Sequence, residues 1–199
     1  EQLKPFTGLV DDLSISDDAY HGRKAGPRET TFARQAAKQL GIPVDFISIT
    51  GPDKTDSKDD YPQLSPADST VVYRGRAAET LAPCVQPRRW DQFTECPWED
   101  LRQPQRVHVD SLGNMHICQG LSMGNLIDRP LLEIMRDYDP ASHPVIGPLL
   151  VGGPTLLVNH YGLEHEEGYA DACHLCYRSR HKLRARFPDV LTPDQMYGP

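Results

Sequence analysis

Val107-His108-Val109-Asp110-Ser111-Leu112-Gly113-Asn114-Met115-His116-Ile117-Cys118 reads as a β-hairpin that ends on a cysteine. Residues 107–109 and 115–118 are strand-forming, and 110–114 between them supply the Asp, Gly and Asn that a tight turn requires. Four other cysteines surround this hairpin in sequence: Cys84, Cys96, Cys173 and Cys176. Cys96 lies in Thr94-Glu95-Cys96-Pro97-Trp98, just upstream of the hairpin. Cys173 and Cys176 form a CX2C pair in Asp171-Ala172-Cys173-His174-Leu175-Cys176. With Asp171 as N-cap, both of these sulfurs fall in the first turn of a helix, three residues apart on one face. The helix N-terminus also favours thiolate, the form that binds metal.

A lone free cysteine is most often a small core residue. The CX2C pair, in a chain without export signals, weighs towards metal ligation and against a disulfide framework. Soft thiolates suit zinc or an iron–sulfur cluster, and either needs ligands from separate chain segments. The expected ligands are Cys96, Cys118, Cys173 and Cys176. Cys84 stands alone in Ala82-Pro83-Cys84-Val85 and is read as a bystander, its other role being to replace Cys96.

Working outward, 126–135 reads as a helix, 140–154 as a Gly/Pro-rich loop, and 171–187 as the longest helix. Upstream, 77–81 is a brief helical turn and 83–97 is irregular. At the N-terminal end, 9–16 is strand-like, 29–40 turns helical and 44–49 reads as a buried strand. In the helix Phe32, Ala36 and Leu40 share a face, Thr30 or Thr31 serves as cap, and Gly41 closes the end. Strand, helix and strand with short connections make a βαβ unit with a parallel pair. Residues 51–69 are rich in Asp, Lys, Pro and Ser and offer almost nothing to bury. The expected organisation is α+β: a partial βαβ segment over 1–50, a linker over 51–70, and a hairpin-plus-helix, cysteine-ligated metal domain over 71–199.

The chain has 199 residues, is 38% apolar and carries 21 basic against 28 acidic residues, a formal charge of -7. That balance gives nucleic acid or an anionic membrane no electrostatic attraction. No apolar run approaches the roughly 20 residues needed to span a bilayer, and no charged-then-apolar leader opens the chain. The expected location is cytoplasmic. Glu1 stands where a native chain normally opens with Met, so a piece of something longer is the expectation.

The stretch 107–118 resembles the auxiliary-cluster region of radical SAM enzymes, the SPASM and twitch domains. Gly113 and Cys118 match their GX4C hairpin, with Cys96 as the upstream cysteine. Gly124-Asn125-Leu126, followed by Leu131, Leu132, Glu133 and Ile134, is similar to the turn and short helix that come next in that family. The full SPASM pattern continues CX2CX5CX3C, whereas this chain has only CX2C. The resemblance therefore implies one auxiliary [4Fe-4S] cluster of the shorter twitch type, ligated by all four cysteines. It also implies that 1–50 is similar to late βα units of a radical SAM barrel. Ser16, Asp17, Asp18 and His21 would then stand at a strand's carboxyl end, where such barrels contact substrate. The CX3CX2C motif that binds the catalytic cluster and S-adenosylmethionine is absent. The implied partners are an N-terminal radical SAM core, in the same or a separate chain, and a peptide or small-molecule substrate. The rival class is a structural zinc module, Zn2+ on the same four thiolates, mediating protein contacts.

Other features carry less. Asp17, Asp18 and His21 suit acid–base work or, more plainly, capping and turn chemistry. Arg74-Gly75-Arg76 can clamp an anion or remain solvated. Arg178, Arg180, Lys182, Arg184 and Arg186 alternate and so spread around their helix, serving solubility and its C-terminal dipole. Gly152-Gly153-Pro154 lacks phosphate-loop spacing. His116 and His174 flank ligand cysteines and can donate to cluster sulfurs or replace a ligand. No Gly-x-Ser-x-Gly elbow supports a hydrolase.

Overall fold

The computed structural model describes residues 3–16, 27–50 and 68–198, which fall into two compact units, Glu1–Val71 and Val72–Pro199. The fold is mixed α+β, with small sheets and, among the described residues, five α-helices, and it is not a closed barrel. None of the helices among the described residues is long and apolar enough to cross a membrane.

In the first unit β1 (Leu13–Ser16), α1 (Pro27–Gln39) and β2 (Val44–Thr50) form the expected βαβ unit, with Leu13 opposite Val44 and Ile15 opposite Phe46 in a parallel pair. A third strand, β3 (Asp68–Thr70), adds parallel to β2 and gives the order β1-β2-β3. The segment expected to be a linker over 51–70 therefore ends in a strand, and 51–67 lies outside the described residues. The helix starts at Pro27, so Thr30 and Thr31 lie within its first turns and are not its caps. Proline suits that start because its missing N–H is one that a first helical turn leaves unpaired anyway. The buried face centres on Ala37, which is fully buried, while Phe32 is 60% exposed. Gly41 closes the helix as expected, at φ +70°, with Ile42 N–H donating to Ala37 O at 3.0 Å.

The second unit carries the cysteines. Here β5 (His108–Val109) and β6 (Asn114–Cys118) form the expected hairpin, with His108 opposite His116 and Val109 opposite Met115. Asp110 organises the turn. Its Oδ1 accepts the N–H groups of Leu112 and Asn114, and its Oδ2 accepts Asn114 Nδ2 and stands 3.0 Å from His116 Nε2. Asn125 locks the same turn from outside, donating through Nδ2 to Leu112 O and Asn114 Oδ1. Gly113, at φ +83°, leaves room for it, since a Cβ there would stand 2.8 Å from Asn125 Oδ1.

Burial alone would raise the Asp110 carboxyl, yet the hydrogen bonds from Asn114, His116 and the two backbone amides outweigh it and hold it at about 2. A depressed carboxyl stabilises the fold above its unfolded value, about pH 4, and that contribution disappears as pH falls towards 2. Asp110→Ala is expected to melt earlier than the wild type at pH 7, with the two converging near pH 2. A gap that persists unchanged at low pH would overturn the assignment.

Two expectations are corrected downstream. The stretch 121–125 is a third strand, β7 (Leu121–Asn125), paired antiparallel to β6, and the helix after it is only α3 (Leu131–Arg136). Pro130 explains the late start, because it keeps Arg129 out of helical conformation, and Asn125 Oδ1 draws the Ile127 N–H into a turn instead. The stretch 140–154, expected as a loop, contains the start of the longest helix, α4 (Ile146–Tyr161), which breaks at Gly152 and Gly153 and resumes at Pro154. Glycine and proline mislead here because both sit at the break itself. On either side of it Leu149, Leu157 and Val158 are buried, each side chain contributing about 2 kcal/mol by leaving water. The remaining elements are α2 (Arg76–Thr80), a two-stranded sheet of β4 (Arg88–Arg89) with β8 (Gly168–Tyr169), and α5 (Ala172–Leu183), shorter than expected.

Candidate metal centre

Asp171 caps α5 as its sequence position implies, its Oδ1 accepting the His174 N–H at 2.7 Å, so Cys173 and Cys176 occupy the start of the helix. The strand β8 enters immediately before it. Tyr169, Phe93, Val158, Ala172 and Leu175 form a small apolar cluster under that entry. Cys118 ends β6. Cys96 follows a 3₁₀ turn at Trp90–Gln92, and its segment is bound to α4: Thr155 N–H donates to Phe93 O at 3.1 Å, and Thr155 Oγ1 donates to Trp90 O and Phe93 O. Gly153, at φ +60°, makes the approach feasible, because a Cβ there would stand 2.3 Å from Glu95 N and 2.4 Å from Thr94 C.

These elements bring together the four cysteines expected as ligands. Cys96, Cys118 and Cys176 pack against one apolar core that includes Ile117, Leu121 and Tyr177. Burial pushes the Cys173 thiol up, and charge on Asp171, Cys176, Cys118 or Cys96 pushes it further. Cys176 is pushed up to about 12 by burial, with Arg180 opposing and Cys118 and Cys96 adding. Burial likewise raises Cys96, against hydrogen bonds from the Glu99 and Trp98 amides, and Cys118 adds to the rise. Each thiol thus lies within electrostatic reach of the other three, and all four are partly buried. At neutral pH the Cys96, Cys173 and Cys176 thiols stay protonated unless a cation replaces their protons, which a bound metal does. Cys84 is apart from them: it is exposed, and its thiol contacts Thr80 O at 3.9 Å.

Among the described residues no group of three or more His, Cys, Asp or Glu side chains is gathered closely enough to hold a metal ion. A tetrahedral zinc requires sulfurs all at about 2.3 Å from one point.

Two arginines correct the sequence reading. Arg180 is not part of a solvated spread: it is 2% exposed and donates to Gln119 O at 3.0 Å, its charge opposes the rise of the Cys176 thiol, and its Nε finds no acceptor among the described residues. Arg74 Nη1 donates to Cys118 Sγ at 3.1 Å. The sequence holds one signal for Arg180, since Cys173, Cys176 and Arg180 follow the i, i+3, i+7 spacing of a single helix face. Arg74 has none, because its contact joins residues 44 apart. A buried guanidinium with an unpaired nitrogen beside four thiols fits a negatively charged thiolate-bound group.

Each of the two histidines has one ring nitrogen engaged within the protein. His174 Nδ1 accepts the Ala170 N–H at 3.2 Å, and burial, with Arg178 adding, holds its ring below its ordinary pKa. His116 is buried with its Nε2 on Asp110. Asp17, Asp18 and His21, expected to contact substrate, lie outside the described residues, and Ser16 ends β1. Compared with protein-family models, with curated proteins and with solved structures, the chain finds no match in any of the three.

Proposed function

We propose that this chain is the C-terminal portion of a radical SAM-like enzyme and holds one auxiliary [4Fe-4S] cluster through Cys96, Cys118, Cys173 and Cys176. The observation that carries the reading is that four partly buried thiols from three separate segments lie within electrostatic reach of one another, with Arg74 hydrogen-bonded to Cys118 and the buried Arg180 close by. The hairpin with Gly113 and Cys118, locked by Asn125, supports it, because that is where the family resemblance lies. The parallel β1-β2-β3 sheet supports a reading of the first unit as the end of such a barrel.

When bound, the cluster supplies one-electron chemistry or an anchor for substrate orientation. The chain's residues do the rest: the α5 start and β6 end present thiolates, the Gly153 contact presents Cys96, and Leu121 and Ile117 exclude water. Cys96, Cys118, Cys173 and Cys176 would together hold the group, so substrate would be met by other residues. Without the CX3CX2C motif the chain by itself cannot cleave S-adenosylmethionine.

Anaerobic purification or reconstitution, followed by metal and sulfide analysis and a visible spectrum, tests the reading. Broad visible absorbance with iron and sulfide in equal amounts is the expected result. A colourless protein with one zinc per chain, even after reconstitution with iron and sulfide, would replace it with the structural zinc module.

A further inference from the structure

We infer that Arg74 and Arg180 are positioning residues that set the reduction potential of the iron–sulfur group, Arg74 by its hydrogen bond to the Cys118 sulfur and Arg180 by a buried charge held next to that strand's end, one helical turn after Cys176. This inference rests on the iron–sulfur reading above and adds what regulates that site.

The geometry fixes both charges. Arg74 donates to Cys118 Sγ at 3.1 Å, and the preceding residue's N–H donates to Asp171 Oδ2 at 3.4 Å, which ties this segment to the cap of the CX2C helix. Arg180 stands one helical turn after Cys176 and donates to the O of Gln119, the residue after Cys118, at 3.0 Å. Its guanidinium carbon lies 5.7 Å over the Tyr197 ring, and Tyr197 is held in turn by its hydroxyl, which donates to Gly120 O at 2.5 Å. Neither arginine forms an ion pair with a carboxylate among the described residues, in contrast to Arg178 with Glu79 and Arg184 with Asp194. Arg74 thus makes its hydrogen bond to sulfur while its charge also acts on Asp171, and Arg180 keeps its charge buried beside the same strand end.

The chemical consequence follows from charge alone. Reduction adds one electron, from an external low-potential donor such as dithionite, to the iron–sulfide core, with no bond broken and no proton required. Four thiolates already make the assembly negative, so the added charge is costly in a partly buried site. Fixed cations held there, Arg74 by a hydrogen bond to sulfur and Arg180 buried nearby, lower that cost and raise the potential. Loss of either charge makes the group harder to reduce.

The test is a mediated redox titration of the reconstituted chain, followed by visible bleaching and electron paramagnetic resonance, on Arg74→Gln, Arg180→Met and Arg180→Lys. Iron and sulfide content is measured first for each. At the wild-type midpoint, Arg74→Gln and Arg180→Met are each expected to lower the ratio of reduced to oxidised cluster by about tenfold, 59 mV for a one-electron couple. Arg180→Lys, which keeps the charge, is expected to recover most of the shift. Variants with full iron and sulfide that titrate at the wild-type potential would overturn the inference while leaving the iron–sulfur reading intact. If Arg180→Met fails to fold or load, Arg74→Gln at a partly exposed position decides alone. A wild-type chain that takes up no iron and sulfide removes both.

Discussion

Gly153→Ala is expected to destabilise the second unit by about 3 kcal/mol or more and to lower its melting temperature by roughly 10 °C. Two costs combine. Gly153 has φ +60° and ψ -160°, a region that essentially only glycine enters, and forcing another residue into it costs about 1–3 kcal/mol. The added Cβ would also meet backbone, Glu95 N at 2.3 Å and Thr94 C at 2.4 Å, and backbone cannot rotate away as a side-chain tip can. Gly162→Ala is the control. It also has a positive φ, +57°, but nothing lies within 4 Å of its Cβ position, so only the conformational cost of about 1 kcal/mol applies. Thermal melts by circular dichroism separate the two, and equal losses would remove the steric argument. Because Gly153 presses on the segment that leads to Cys96, the same substitution is expected to lower iron retention as well as stability.

The second large effect is expected from the ligands themselves. Cys176→Ser and Cys173→Ser should each weaken cluster retention by at least ~10-fold, the lower end of what loss of a mere outer-sphere partner costs. Cys96→Ser and Cys118→Ser should do likewise, since each acts on the other thiols across the same volume. Cys84→Ser should leave iron and sulfide unchanged, because that thiol is exposed and contacts only its own helical turn. Iron and sulfide per chain after anaerobic desalting are the measurement. Loss of iron in Cys84→Ser equal to that in Cys176→Ser would overturn the ligand assignment. Serine keeps the size of cysteine but is a poor soft ligand, so a loss reports ligation more than packing. Melting each variant without iron checks that the fold is unchanged.

The local parts of the site are legible in the chain itself. Asp171 as cap, Cys173 and Cys176 on one helical face, and the turn from Asp110 to Asn114 all rest on interactions between residues a few positions apart, and such interactions leave a spacing in the sequence. The βαβ unit is legible for the same reason, through periodicity and the Gly41 stop. Where sequence and structure part, a local signal competes with a distant one. Gly152, Gly153 and Pro154 read as a loop because such residues break helices. In the fold the break is where α4 meets the Cys96 segment, and the burial of Leu149 and Leu157 holds helix on both sides.

The candidate centre divides along the same line. By itself the sequence determined which thiols were available, which two share a helix face, and that Cys118 ends a hairpin strand, because backbone hydrogen bonding and capping act over a few residues. Only the tertiary structure decided that Cys96 and Cys118 come within electrostatic reach of the CX2C pair, that Cys84 is exposed apart from them, that Arg74 bonds the Cys118 sulfur and that Arg180 is buried. Those relations join segments tens of residues apart through packing and desolvation, and neither leaves a fixed spacing in the chain.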